Sequence, residues 1–127
     1  MTLLLCGDHV EKLVEIGILY DFYGKLLSEK QFQIIELYYI YDLSLSEIGE
    51  ELDITKQGVS DTLKRAEKKL FQFEDTLGLA GKFHRTHNNI REIVNLCTDL
   101  KNLSKENLVN IKDKVQKIED ICLEILE

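Results

Sequence analysis

The sequence predicts an all-α protein. Proline is absent and glycine numbers only 7 in 127 residues, which leaves a turn-rich β fold without its turn-formers. Leu, Ile, Glu and Lys dominate, apolar residues recur at spacings of three and four, and a Ser or Thr stands before four of those periodic runs where a helix cap belongs. The first helix is set by Val10, Leu13, Gly17 and Tyr20, and Gly24 marks where it loosens. The next starts share one grammar: an apolar residue, a hydroxyl N-cap, and a second apolar residue at the fourth helical position that staples back onto the first. Leu27, Ser28 and Phe32 fit it, with Gln31 closing a capping box; Leu43, Ser44 and Ile48 fit it, with Glu47 closing another. Ile54, Thr55 and Val59 fit without the box, as do Leu103, Ser104 and Leu108. Helices are therefore expected to begin near residues 29, 45, 56 and 105. The helix starting at Lys56 keeps its period through Val59, Leu63, Ala66 and Leu70 until Gly78 and Gly81 offer stops.

Those stops place a boundary near residue 81, between a domain over residues 8–81 and a tail over 82–127. In the tail Ile90, Ile93, Cys97 and Leu100 recur at three and four, and a second run repeats the pattern through Leu108, Ile111, Val115, Ile118, Cys122 and Ile125. The pattern describes a two-helix, coiled-coil-like tail. The second strip is more apolar surface than a monomer leaves in water, so its six residues are the expected homodimerisation surface, with burial against the preceding helix of the same chain as the alternative.

Composition narrows the function. Acidic residues number 23 against 16 basic ones, a net charge of −7, the reverse of a protein that holds nucleic acid by bulk electrostatics. Cys6, Cys97 and Cys122 are odd in number and widely spaced, which argues against a disulfide framework and for a reducing compartment. Met1 to Gly7 lacks the basic start of a secretory signal, and no apolar run approaches the ~20 residues of a membrane span, so a cytoplasmic protein is expected. No nucleophile, base and orienting residue arrive at recognisable spacing, and there is no glycine-rich phosphate loop; the reading is a non-enzyme without cofactor. His84 and His87 could set two imidazoles on one helix face, but no third ligand is fixed by spacing. The stretch Lys82 to Arg91 then reads as a solvated basic face that could extend a phosphate-binding surface or favour RNA. Phe22, Phe32, Tyr38, Tyr39 and Tyr41 invite a base-stacking reading, although helical spacing assigns most of them to the core.

Against that acidic background stands "LSLSEIGEELDITKQGVSDTLKRAEKKL", residues 43–70. It has the parts of a helix-turn-helix unit, in which the first helix props the second against a duplex through a tight turn. Ile48 and Leu52 give the first helix an inner face, Gly49 removes a side chain where the helices approach, and Ile54, Val59 and Leu63 close the contact. Asp53 sits where a left-handed backbone is needed. At 100° per residue Val59, Leu63, Ala66 and Leu70 share one stripe, and Gln57, Asp61, Lys64 and Lys68 share the opposite one. Gln57, with Lys56 and Ser60 beside it, stands where base edges are reached, and a Gln amide can pair twice with adenine. Lys64, Arg65, Lys68 and Lys69 suit phosphates. Over residues 55–70 five basic side chains against two acidic ones (Asp61 and Glu67) give a local charge of +3. Asp61 lies on the reading face, where it either accepts from a cytosine amino group or repels phosphate, so modest affinity for DNA or RNA is expected.

Residues 21–70 also resemble a known group. Asp21-Phe22-Tyr23, Leu27 with Lys30-Gln31, Leu37-Tyr38-Tyr39, Ser44-Leu45 with Glu47-Ile48, and Lys64-Arg65 are similar to the YlxM family, whose members resemble the last conserved region of bacterial sigma factors. The resemblance implies an all-α, sigma-factor-like regulatory protein encoded beside signal recognition particle genes, with components of that pathway as partners. Three expectations stay open: a nucleic-acid-binding regulator, a non-enzymatic adaptor that binds a protein of the pathway through the same helical unit, or a purely structural helical oligomer.

Overall fold

A computed structural model describes residues 9–103 and 108–126, and among them every regular element is helical. Helix α1 spans His9–Tyr23 and runs into a 3-10 turn over Gly24–Leu26. Helix α2 covers Glu29–Ile35 and continues as a π-helical turn over Glu36–Ile40; α3 is Leu45–Leu52, α4 Lys56–Leu77, α5 Leu79–Lys101 and α6 Leu108–Leu126. The all-α expectation holds, and the starts at 29, 45 and 56 fall where the capping grammar puts them. Ser28 Oγ accepts from Gln31 N at 3.2 Å and Ser44 Oγ from Glu47 N at 3.1 Å, each with the reciprocal bond that completes a capping box. Thr55 Oγ1 caps α4 by accepting from Gly58 N at 3.0 Å. The expected start near 105, with Ser104, lies outside the described residues, as do Met1 to Gly7 with Cys6.

The chain divides into two units, Met1–Gly81 and Lys82–Glu127. In the first, α4 is the central pillar, packed against α1, α2 and α3. Its inner stripe of Val59, Leu63, Ala66 and Leu70 is buried against Ile16, Leu19 and Tyr23 of α1, Ile34 and Ile35 of α2, and Ile48 of α3. Each fully buried aliphatic side chain contributes about 1.5–3 kcal/mol of transfer free energy, so this cluster fixes the pose of α4.

One departure from the sequence reading concerns the exit from α4. Gly78 does end the helix, with φ +61, but Gly81 is no stop, because α5 begins at Leu79. The new helix starts early because its first three N–H groups are met by Tyr23, far away in sequence, and by Glu74 in the last turn of α4. Leu79 N donates to Tyr23 Oη at 2.9 Å, Ala80 N to Glu74 Oε1 at 3.0 Å, and Gly81 N to Glu74 Oε2 at 3.0 Å. Tyr23 Oη donates in turn to Glu74 Oε1 at 2.5 Å, so the buried carboxylate is fully engaged.

In the second unit α5 and α6 form an antiparallel hairpin, tied by Lys114 Nζ to Asp99 Oδ2 at 3.2 Å. The sheltered seam holds Ile93, Leu96 and Leu100 of α5 and Ile111, Ile118, Ile121 and Ile125 of α6, with Leu96 and Ile121 the buried pair.

Candidate nucleic-acid interface

The corner between α3 and α4 is built from local chemistry. α3 ends at Leu52, and Asp53 takes the left-handed conformation (φ 55, ψ 47), which its short polar side chain tolerates better than most non-glycine residues. The chain then turns through Ile54 and Thr55 into α4, with Ile54 N bonded to Gly49 O at 2.9 Å. A Cβ on Gly49 would stand 2.8 Å from Ile54 O, so only glycine lets the turn close this tightly. Together with buried Ile48 and Val59, these contacts hold α4 at a fixed angle to α3.

Lys56, Gln57, Asp61, Lys64, Arg65, Lys68 and Lys69 are all exposed, while Ser60 is half-buried beside them. At 100° per residue Gln57, Asp61, Lys64 and Lys68 run down the centre of the outer face, with Arg65 and Lys69 on one side and Lys56 and Ser60 on the other. The structure brings two of these together. Gln57 Nε2 donates to Asp61 Oδ1 at 3.0 Å along the helix surface. A carboxylate only accepts, so the bond turns the amide nitrogen of Gln57 toward Asp61 and leaves its Oε1 and second N–H pointing away.

The two acids of this helix segment have different fates. Asp61 stays on the outer face, whereas Glu67 is turned inward. Tyr39 Oη, from the π-helical turn, donates to Glu67 Oε1, and Lys12 Nζ of α1 lies 3.2 Å from Glu67 Oε2. Burial, reinforced by the Glu67 carboxylate, pushes the Tyr39 phenol far above its ordinary range, so it remains a donor. Lys12 offsets the Glu67 charge, and the basic character of the outer face is reduced by Asp61 alone. Sequence reasoning had no sight of this network, because Lys12 and Tyr39 reach Glu67 from other elements. The Gln57–Asp61 pair did leave a signal, a donor and an acceptor four residues apart on a helix.

The face next to it is acidic. α3 carries Glu47, Glu50 and Glu51 and no basic residue; all three are exposed, and Glu47 also closes the capping box. Charge is thus segregated by helix, −3 on α3 against +3 over residues 55–70.

Of the aromatic residues, Phe32 packs on Tyr20 with centroids 5.1 Å apart, and Tyr38 and Tyr39 are half-buried against the core, whereas Tyr41 is exposed. His84 Nε2 is 3.2 Å from Asn88 Nδ2 and His87 Nε2 is 3.1 Å from Arg91 Nη2, each one turn along α5. Among the described residues no three metal-ligating side chains cluster.

The tail strip divides in two. Ile111, Ile118 and Ile125 lie on the half-buried seam of α6 together with Lys114 and Ile121, while Leu108, Val115 and Cys122 stand on an exposed edge. No helix among the described residues is long and apolar enough to cross a membrane.

Comparison with known proteins agrees with this geometry. The family model UPF0122, described as "Putative helix-turn-helix protein, YlxM / p13 like", matches residues 10–112. A UPF0122 protein of Acetivibrio thermocellus is 40% identical over 114 residues, covering 88% of this chain and 97% of the relative. One from Bacillus thuringiensis is 37% identical over 112 residues, covering 88% and 98%. A third, from Desulforamulus reducens, is 50% identical over 82 residues, covering 65% and 70%.

Proposed function

The chain belongs to the UPF0122 family of YlxM/p13-like helix-turn-helix proteins, and on that footing we propose that residues 8–81 form a non-enzymatic, nucleic-acid-binding regulatory unit whose reader is the outer face of α4. The observation that carries this reading is the charge arrangement. Lys56, Lys64, Arg65, Lys68 and Lys69 are exposed on one helix, while Glu67, which would cancel one of them, is held inward by Tyr39 and Lys12. Lys64, Arg65, Lys68 and Lys69 contact phosphates and set register; Gln57, near the helix N-terminus, reads a base edge. With its nitrogen held by Asp61, the Gln57 amide keeps one acceptor and one N–H free, the pair that adenine N6–H and N7 require. Asp61 acts here by positioning Gln57. The proposed setting, regulation within the signal recognition particle pathway, is supported by the family resemblance.

Fluorescence anisotropy with labelled duplex DNA and RNA, from 50 to 200 mM salt, tests the reading. Lys64→Ala and Lys68→Ala should each weaken binding to all sequences alike and shallow the salt slope by about 0.9. Gln57→Ala should cost about 1–3 kcal/mol on a selected sequence and little on others. Asp61→Ala separates two roles: a residue that merely repels phosphate gives tighter binding everywhere, while a positioning residue gives a loss confined to the selected sequence. Wild-type protein that binds neither nucleic acid at 50 mM salt refutes the proposal.

A second reading has its own observation. Exposed Glu50 and Glu51 on α3, beside the turn, suit a basic protein surface better than a phosphate backbone. In an adaptor, Glu50→Lys would abolish capture of a partner from nuclease-treated lysate and the α4 variants would not; in a nucleic-acid reader the same substitution strengthens binding to duplex.

A further inference from the structure

The exposed edge of α6 points to a specific partner. Leu108, Val109, Val115 and Leu123 are 69%, 73%, 49% and 55% exposed, and Cys122 is exposed among them. The hairpin cannot cover this edge itself, because its own seam faces α5. We propose that a second copy of this chain covers it, with α6 lying antiparallel on the partner's α6 and a two-fold axis passing between Val115 and Gln116.

Three features select a second copy. α6 is itself a charge dipole: residues 108–117 carry Lys112, Lys114 and Lys117 against Asp113, while residues 118–126 carry Glu119, Asp120 and Glu124 and no base. An antiparallel copy sets basic half against acidic half, and a parallel copy would oppose like charges. The register follows from the symmetry, since a two-fold axis between Val115 and Gln116 pairs residues whose numbers add to one constant. Leu108 then meets Leu123 of the partner subunit, Val109 meets Cys122 of the partner subunit, and Lys112 meets Glu119 of the partner subunit. For these three pairs on the exposed edge apolar falls on apolar and base on acid, whereas Lys114 and Ile111, which the same sum would set against a base and an acid, lie on the seam with α5; the isologous rule supplies each contact twice. The apolar surface is also wider than one helix. In antiparallel helices the column one residue past the seam lies on the same side of both, which puts Ile90 and Cys97 of α5 beside Val115 and Cys122. The partner hairpin therefore closes a four-helix bundle.

Lys112 and Glu119 are both exposed in the hairpin, so reversing either leaves its fold intact, as circular dichroism of the full chain would confirm. Sedimentation equilibrium of the full-length protein should give a dimer. Lys112→Glu and Glu119→Lys should each raise the dimer dissociation constant on the order of tenfold, because each places two like-charge pairs across the axis. The double reversal should return it to within about threefold of wild type. Val115→Asp, at the axis, should give monomer at every concentration examined. A wild-type monomer overturns the proposal and leaves the edge to a different protein; a dimer indifferent to both reversals, or one the double reversal fails to restore, overturns the register.

Discussion

Replacing Gly49 with alanine examines the helix-turn-helix corner, and Gly17 supplies its control. Both lie inside helices, where alanine is favoured over glycine by about 0.5–1 kcal/mol. At Gly17 a new Cβ meets nothing within 4 Å, so Gly17→Ala should stabilise by that amount. At Gly49 the same gain is available, but the Cβ would stand 2.8 Å from Ile54 O. That oxygen is backbone, in a residue whose N–H is already bonded to Gly49 O at 2.9 Å, so relief requires opening the turn. Overpacking of this kind costs about 1–3 kcal/mol, which leaves Gly49→Ala destabilised by roughly 1 kcal/mol and separates the two variants by roughly 2 kcal/mol. Urea unfolding followed by circular dichroism would read this as a midpoint difference of about 1 M at unchanged slope. Gly49→Ala also displaces α4 relative to α3, so its affinity for nucleic acid should fall while that of Gly17→Ala does not. If the two variants are equally stable, Ile54 O yields freely, and the close approach is not what fixes the corner.

Three further outcomes are expected. Glu74→Gln should destabilise by about 3 kcal/mol in the same urea assay, since an amide cannot accept from Tyr23, Ala80 and Gly81 as the carboxylate does; a loss under 1 kcal/mol would show that the cap of α5 is dispensable. Stability should fall as pH rises above about 10, because burial together with carboxylate neighbours raises the phenols of Tyr20, to about 12, and of Tyr23 and Tyr39, so unfolded chains lose these protons first; a urea midpoint unchanged between pH 9 and pH 11 would contradict this. Glu15 is buried beside Glu11, and its raised pKa means that stability is lost as pH rises through the folded value; the advantage of Glu15→Gln over wild type should therefore grow between pH 4 and pH 7 in thermal melts, and a constant difference would refute it.

Features decided by chemistry within four residues were legible in the sequence. The boxes of Ser28 with Gln31 and Ser44 with Glu47 announce α2 and α3, and the Thr55 cap announces α4, because each bond is made inside the turn it starts. Asp53 and Gly49 were legible as a pair, since a short turn between two capped runs demands a left-handed residue and a missing side chain. Features decided by distant partners were not. The early start of α5 depends on Tyr23, 56 residues before Leu79, which also bonds the nearby cap Glu74, and its neighbours do not advertise that role. The inward turn of Glu67 depends on Lys12 and Tyr39, far from it in the chain. In the tail the spacing admits two stripes that share Ile111, Ile118 and Ile125. One continues through Val115 and Cys122 and the other through Lys114 and Ile121, and only packing against α5 selects the second as the seam.

In a chain with net charge −7, a basic stripe gains where nearby carboxylates are paired or turned away from it. Around α4 some are so disposed, while Asp61 stays on the face itself. Glu67 is bonded to Tyr39 and paired with Lys12, Glu74 is buried on Tyr23 and the start of α5, and Glu36 accepts from Tyr20. The remaining acids work at longer range. Screening over about 8 Å at physiological salt confines their effect to neighbouring surface, where the −3 of α3 pushes a polyanion toward the outer side of α4. In the proposed reader, weak overall attraction combined with one permitted approach would restrict non-specific adhesion, and it would place the demand for affinity on the few side chains, Gln57, Lys64, Arg65 and Lys68, that a correctly oriented duplex would reach.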